Sequence, residues 1–239
     1  MTSNGSNRDK EKKDPEFNKW SENYRDVLAE DVGDGYDYSE YKIREMAREN
    51  IVDNPIILDL GCGDGNCFQY IDEYIPNAKY YGIDVADKVI EVAKEKWNGR
   101  GAEFMCYDGQ HLPFCDASFD IVFIACVLHH VPVFERDNLL KECYRVLNEN
   151  GRIMIFEHNM KNPLTKKVVE RCPFDDDAVM VAPKELKGLL NESGFHKVNV
   201  RYTLFFPRRR AFKTFIPMER GLKWCPVGAQ YYCLSKKCE

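Results

Sequence analysis

The chain lacks several things that would place it early. No apolar run approaches the roughly 18 residues of a membrane span. The first residues, MTSNGSNRDKEKKDPE, contain no apolar core of a secretory signal, so residues 1–16 are expected to be a disordered leader. Basic charge is not in excess: 34 Lys and Arg stand against 39 Asp and Glu, a formal net charge of −5. A chain so balanced is not built as a whole to bind nucleic acid. The ten cysteines include no C-x-x-C pair, so a zinc ribbon is excluded and no metal is expected. Several cysteines sit inside apolar runs (AEFMC, FDIVFIAC), where a thiol acts as a small buried hydrophobe. A reduced, cytoplasmic protein is expected.

What is present is alternation. Apolar runs rich in β-branched and aromatic residues fall at 56–60, 79–83, 102–107, 119–125, 152–157, 198–206 and 230–235. Between the first five lie stretches with helical spacing, such as Phe68, Ile71 and Ile75, or Leu139, Leu140, Cys143 and Leu147. Strand and helix in turn mean a parallel sheet covered on both faces. The fold class is α/β: a Rossmann-like, doubly wound seven-stranded sheet, mostly parallel, with an antiparallel edge strand. That last feature follows because no long helical crossover separates the final two runs. Residues 17–50 read as two helices forming a cap or lid, and residues 51–239 as one domain.

The stretch DLGCGDGN at 59–66 follows the first run directly. Glycines there let the backbone take unusual φ and let a ligand approach closely, and the following helix offers free N–H groups. The spacing of Gly61, Gly63 and Gly65 is not the G-x-G-x-x-G of a dinucleotide site, and no Lys-Ser/Thr follows as in a P-loop. Asp59 would repel a pyrophosphate and suits a ligand with an ammonium group. About 20 residues on, Asp84 ends the second run, where an acid takes ribose hydroxyls; it also reads as a helix N-cap.

Together D-L-G-C-G-D-G and G-I-D-V resemble the class I S-adenosylmethionine-dependent methyltransferases. Asp108-Gly109 with Leu112-Pro113-Phe114, the run FDIVFIACVLHHV, and LLKECYRVLNENGRIMIFE extend the resemblance over residues 40–235. It implies S-adenosyl-L-methionine as cofactor and a set of roles. Gly61 and Gly63 would pass the methionyl part, with Gly65 and Cys62 in the same turn. Asp59 would anchor the ammonium group. Asp84 would hold the ribose and Val85 would lie against the adenine. Asp108 would accept from the adenine amino group, with Gly109 and Tyr107 beside it. Cys126 and Val127 would face the methionine.

The acceptor is less legible. The turn after the fourth run, CVLHHVP, has neither the Asn-Pro-Pro-aromatic pattern nor the Pro-Cys of nucleic-acid base methylation. His130 and His129 are base candidates there, each also readable as a packing group. Glu157 and His158 end the fifth run and form a second candidate pair, with Asn159 following as a substrate candidate. Residues 159–182 are long for a connection and read as a lid over the pocket or as a solvated acidic loop; Arg171, Phe174 and, from the last strand, Tyr231 are its substrate candidates. Asp175, Asp176 and Asp177 suit an amine, a sugar or a metal, or merely a solvated loop. Residues 208–224 interleave Arg208, Arg209, Arg210, Lys213, Arg220 and Lys223 with aromatics, which suits a phosphate, a membrane surface, another chain or a solvated edge.

The expectation is a methyltransferase acting on a small molecule, on a hydroxyl of a sugar, glycan precursor or related metabolite, without a nucleic-acid partner. The alternatives are an N-methyltransferase of a small amine and a cofactor-binding scaffold without turnover.

Overall fold

The computed structural model describes residue 18 and residues 38–49, 52–206, 212 and 214–237. The expected leader, the first of the two N-terminal helices apart from Asn18, and Arg208, Arg209, Arg210 and Lys213 lie outside the described residues. Each of the seven apolar runs is a strand: β1 (Ile56–Leu60), β2 (Lys79–Asp84), β3 (Ala102–Cys106), β4 (Phe119–Ala125), β5 (Leu147–His158), β6 (His196–Thr203) and β7 (Gln230–Lys236). The helices are α1 (Tyr38–Glu49), α2 (Cys67–Tyr74), α3 (Asp87–Lys96), α4 (Arg136–Val146), α5 (Pro163–Val169), α6 (Pro183–Glu192) and α7 (Glu219–Leu222). β5 starts earlier than its apolar run because Leu147 pairs with Phe119 before a register shift, after which Arg152 pairs with Ile121.

The sheet order is β3-β2-β1-β4-β5-β7-β6. The first five strands are parallel, and β7 runs antiparallel between β5 and β6. The antiparallel element is thus a β6–β7 pair at one edge. The chain winds outward from β1 to β3, returns to the middle, and continues through β4. Strand order therefore reverses between β1 and β4, where open α/β sheets bind ligands at their carboxyl ends.

Alternate residues of each strand feed opposite faces. Leu58, Val122, Ile124, Ile153 and Ile155 meet Leu139, Leu140, Leu186 and Leu190 of α4 and α6. Ile57, Phe123, Met154 and Phe156 meet Tyr41, Ile43 and Met46 of α1 and Phe68, Ile71, Ile90 and Ala93 of α2 and α3. The second expected N-terminal helix, α1, is part of this core.

Two polar residues hold the far end of the sheet. Asn159 is fully buried, and its amide donates to the carbonyls of Pro226 and Gly228 at 3.1 and 2.7 Å. Tyr231, also fully buried, donates to Val181 O at 2.7 Å. Both were substrate candidates in the sequence; with their donors spent inside the fold, they tie loops to the sheet instead. Lys223, counted with the basic patch, turns inward onto Glu45 and the Tyr232 hydroxyl. No helix among the described residues is long and apolar enough to cross a membrane.

Candidate functional site

A cavity of about 340 Å³ opens at the carboxyl ends of β1, β2 and β4. On one side Gly61, Gly63, Asp84, Val85, Tyr107 and Gly109 line it. Cys126, Val127, His130, Glu135, Phe174 and Asp177 line the other.

The glycine turn is shaped by left-handed backbone. Gly61 and Gly63 have φ of 76° and 55°, a region that costs a residue with a Cβ about 1–2 kcal/mol. The Gly61 and Cys62 N–H groups both donate to Ile83 O, at 2.7 and 3.0 Å, which splices the turn onto β2. Asp84 completes the splice: its carboxylate accepts from Gly63 N and Ala86 N, both at 3.0 Å. The N-cap of α3 is Ala86, not Asp84. Burial raises the Asp84 pKa, and the backbone donors oppose it.

Three of the expected cofactor residues lie behind the cavity wall. Asp59 is buried, and Tyr80 donates to its carboxylate at 2.5 Å. Burial pushes the Asp59 carboxyl up to about 7, with the Tyr80 hydroxyl opposing. Asp59 does not line the cavity and stands beneath the turn. Cys62 packs beneath the turn, its thiol facing Gly82 and raised by burial. At Gly65 a Cβ would lie 2.6 Å from Phe104 and 2.9 Å from Trp97, so that glycine serves packing. Asp108 is at the rim: its carboxylate accepts from Gln110 N and His111 N, both at 2.8 Å, and these bonds lower its pKa.

Opposite the glycine turn, five segments converge on a polar cluster. β4 ends at Cys126, which takes a left-handed φ of 59° and turns the chain into a short 3₁₀ helix, Leu128–His130. Glu157, near the end of β5, accepts from Leu128 N at 3.0 Å and from His129 Nδ1 at 2.5 Å. On the other edge of the ring, His129 Nε2 lies 3.3 Å from Asp175 Oδ1, and His130 Nε2 lies 3.6 Å from the same oxygen. The His158 ring stands 5.3 Å from that of His129. Lys42, from α1, reaches Cys126 Sγ at 3.5 Å, as does Gln230 Nε2.

Charge in the cluster follows from this geometry. Burial would lower the His129 pKa, but Glu157 and Asp175 outweigh it and hold it up to about 10. The same contacts draw Glu157 and Asp175 down against their burial. His130 goes the other way, pushed down to about 4 by burial and by the charge on His129. Burial would raise the Cys126 thiol, yet Lys42 and His158 bring it down to about 7.

These facts reorder the base candidates. His129 is charged, has both ring nitrogens engaged and lies off the cavity, so it cannot take a proton from an acceptor. Glu157 is spent on Leu128 and His129. His158 lies behind Cys126. Of the four, His130 alone lines the cavity, uncharged at neutral pH. Among the substrate candidates Phe174 lines it, whereas Arg171 is exposed outside the lining.

Lys42 and Arg136 were missed. Lys42 left a signal: helical spacing puts it on the face of α1 that carries Tyr38, Glu45 and Met46. Arg136, fully buried, left none; its role rests on Val179, 43 residues later.

Residues 58–155 match the family model described as a methyltransferase domain. An arsenite methyltransferase of Halobacterium salinarum is 31% identical over 160 residues, covering 60% of this chain and 38% of that protein. A demethylmenaquinone methyltransferase of Thermotoga maritima is 32% identical over 153 residues, covering 63% of this chain and 62% of that protein. The chain thus spans less than two thirds of the length of these curated relatives. Among solved structures, a SAM-dependent methyltransferase of Thermotoga maritima superposes with a TM-score of 0.66 at 18% identity, covering 92% of this chain and 98% of that one. That likeness shows the fold.

Proposed function

We propose that this chain, which has a Rossmann-like fold and matches a methyltransferase-domain model over residues 58–155, transfers a methyl group from S-adenosyl-L-methionine to a small-molecule acceptor. The observation that carries the reading is the cavity at the strand-order reversal, with a left-handed glycine turn and Asp84 on one wall and His130, Phe174 and Asp177 on the other.

The residues present suit that cofactor. Asp84 aims a carboxylate at the cavity floor and would take the ribose hydroxyls. Val85 is partly exposed there and, with Gly109 and Tyr107, would flank the adenine. Asp108 would meet the adenine amino group from the rim. Gly61 and Gly63 would pass the methionyl chain toward Cys126 and Val127. The bound cofactor supplies a sulfonium methyl group. The protein's task is to align an acceptor with it and to exclude water. Phe174 and Val131 supply apolar wall for that, and His130 supplies an uncharged nitrogen that accepts a hydrogen bond from an incoming hydroxyl.

We take the acceptor to be a hydroxylated metabolite, a sugar hydroxyl being one case. A second reading, an amine acceptor, is favoured by Glu135 and Asp177, two carboxylates on the acceptor wall. In both readings α1 packs as part of one domain with residues 51–239, and the protein works in the cytoplasm. S-adenosylhomocysteine release with matched panels of hydroxylated compounds and amines separates the two. Turnover with hydroxyl compounds alone supports the first. Calorimetry that finds no binding of S-adenosylhomocysteine sinks the whole reading, and binding without turnover on any acceptor leaves a scaffold.

A further inference from the structure

We propose that His129, His158 and Asp175 hold one divalent first-row transition-metal ion beside the cavity, with a coordination position left for an oxygen of the acceptor. The acceptor part of this inference rests on the methyltransferase reading; the metal part does not.

Each of the three residues offers one ligand atom, and all these atoms lie within 4.8 Å of one another. Bonds of about 2.0–2.2 Å place ligand atoms at most about 4.4 Å apart, so side-chain shifts of about 1 Å close this cluster around an ion. The ligands come from three separate segments: the turn after β4, the end of β5 and the segment after α5. No short-range spacing in the sequence could announce such a site, and that is why none was expected.

Two independent features point to an ion. The first is the support behind His129. Its Nδ1 is bonded to Glu157, and its Nε2 faces Asp175 and His158; an ion binding there displaces the Nε2 proton of the charged ring to solvent. A carboxylate behind one ring nitrogen is the usual support of a metal-bound histidine, fixing its tautomer and orientation. Glu157 is itself held by Leu128 N, so the support is rigid. The second is that the segment carrying Asp175 is pinned where it is needed. Val179 N donates to His129 O at 2.9 Å, and the Arg136 guanidinium holds Val179 O at 2.6 Å.

Two histidines and one carboxylate form a donor set that suits zinc, iron(II) or manganese(II) with open positions. None of the three ligands lines the cavity; they stand behind the part of its wall formed by Cys126, His130, Phe174 and Asp177, and an acceptor oxygen would reach the ion between these residues. A metal there would bind a hydroxyl oxygen and lower its pKa, the proton leaving to solvent through the cavity mouth. That favours hydroxyl-bearing acceptors over amines.

The test uses the full chain freed of any polyhistidine tag and stripped with a chelator. Zinc, manganese and cobalt(II) salts are titrated alone, with calorimetry and the visible spectrum of cobalt as readouts. One equivalent is expected to bind. His158→Asn and Asp175→Asn should each weaken binding at least tenfold, and Glu157→Gln, which touches only the supporting carboxylate, by about tenfold. S-adenosylhomocysteine affinity and the melting temperature certify that each variant is folded. No metal binding by chain that still binds S-adenosylhomocysteine overturns the site, as does binding unchanged in the folded variants. Metal binding without any S-adenosylhomocysteine binding keeps the site and discards the methyltransferase reading. If both bind, adding back metal should raise turnover of hydroxyl compounds at least tenfold over the stripped enzyme; equal turnover overturns the acceptor role.

Discussion

Gly61, after β1, and Val127, after β4, approach so closely across the strand-order reversal that a Cβ on Gly61 would lie 2.3 Å from Val127 Cγ2. Two loops are packed against each other at the point where the sheet opens to its ligand. Gly61→Ala therefore brings both a steric conflict and a left-handed φ of 76° that a side chain resists. The expected outcome is a loss of about 2 kcal/mol or more in urea unfolding, with weaker binding of S-adenosylhomocysteine. Adding Val127→Ala should recover part of that loss, since it removes the contact and leaves the backbone strain. No recovery in the double variant would mean that the contact is not what requires glycine.

Asp84 bridges the glycine turn and α3 while facing the cavity. Its removal thus has two effects that can be measured apart. Asp84→Asn keeps an oxygen for one backbone donor but loses the charge, and it should weaken S-adenosylhomocysteine binding at least tenfold, about 1.4 kcal/mol. Asp84→Ala should add a fall in melting temperature, because Gly63 N and Ala86 N lose their acceptor. Calorimetry and thermal unfolding on both variants check this. Unchanged affinity in Asp84→Asn would remove Asp84 from the cofactor site.

The sheet was legible because its strands are buried on both faces, so they read as unbroken apolar runs: IILDL and FDIVFIA are β1 and β4 to the residue. The glycine turn was legible because three left-handed positions within five residues favour glycine at each, whereas the isolated left-handed Cys126 left no such mark. The division of labour within it was not. Gly65 and Gly61 look alike in sequence, yet one clears Phe104 and the other Val127. Asp59 and Asp84 are both acids at strand ends and share one face of the sheet, since Asp59 pairs with Gly82, but Asp84 lies one pleat further along and reaches the cavity, while Asp59 stays beneath the turn against Tyr80. The acceptor side was hardest to read. His129, Glu157 and Asp175 come from distant parts of the chain; the pairing of β4 with β5 joins the first two, and the packing of residues 170–182 onto the turn after β4 adds the third.

Asp59 gives a pH prediction. Burial holds its carboxyl up to about 7 in the folded chain, well above the usual carboxylate range. The folded state therefore binds a proton that the unfolded state has already released. The stability linked to this proton is fully present below the unfolded pKa near 4 and is lost as pH rises through about 7. Asp59→Asn stays neutral throughout and can still accept from the Tyr80 hydroxyl. Relative to wild type, this variant should gain stability between pH 5 and 8, by a few kcal/mol in order of magnitude. Urea unfolding at the two pH values gives the difference, and the paired design cancels the other titrating groups. A difference that does not change with pH would show that Asp59 is ionised in the fold at both.

Arg136 is fully buried at the start of α4, and all its bonds go to the acceptor side. It donates to Val131 O at 3.1 Å, to Val179 O at 2.6 Å and to Glu185 of α6 at 3.2 Å. One planar guanidinium thus clamps the turn after His130, the segment after Asp177 and a helix that packs on the sheet. A lysine ammonium cannot span this fork. Arg136→Lys should release residues 172–181 first, since it frees Val179 O and leaves the segment held by Val179 N to His129 O, by Tyr231 to Val181 O and by the histidine contacts of Asp175. Limited proteolysis should cut there about tenfold faster, equivalent to ~1.4 kcal/mol of local opening. S-adenosylhomocysteine affinity should change little, because Gly61, Gly63 and Asp84 stand on the opposite wall, whereas acceptor turnover should fall with Phe174 and Asp177 displaced. Faster cleavage spread evenly over the chain would instead mark Arg136 as a support of the whole fold.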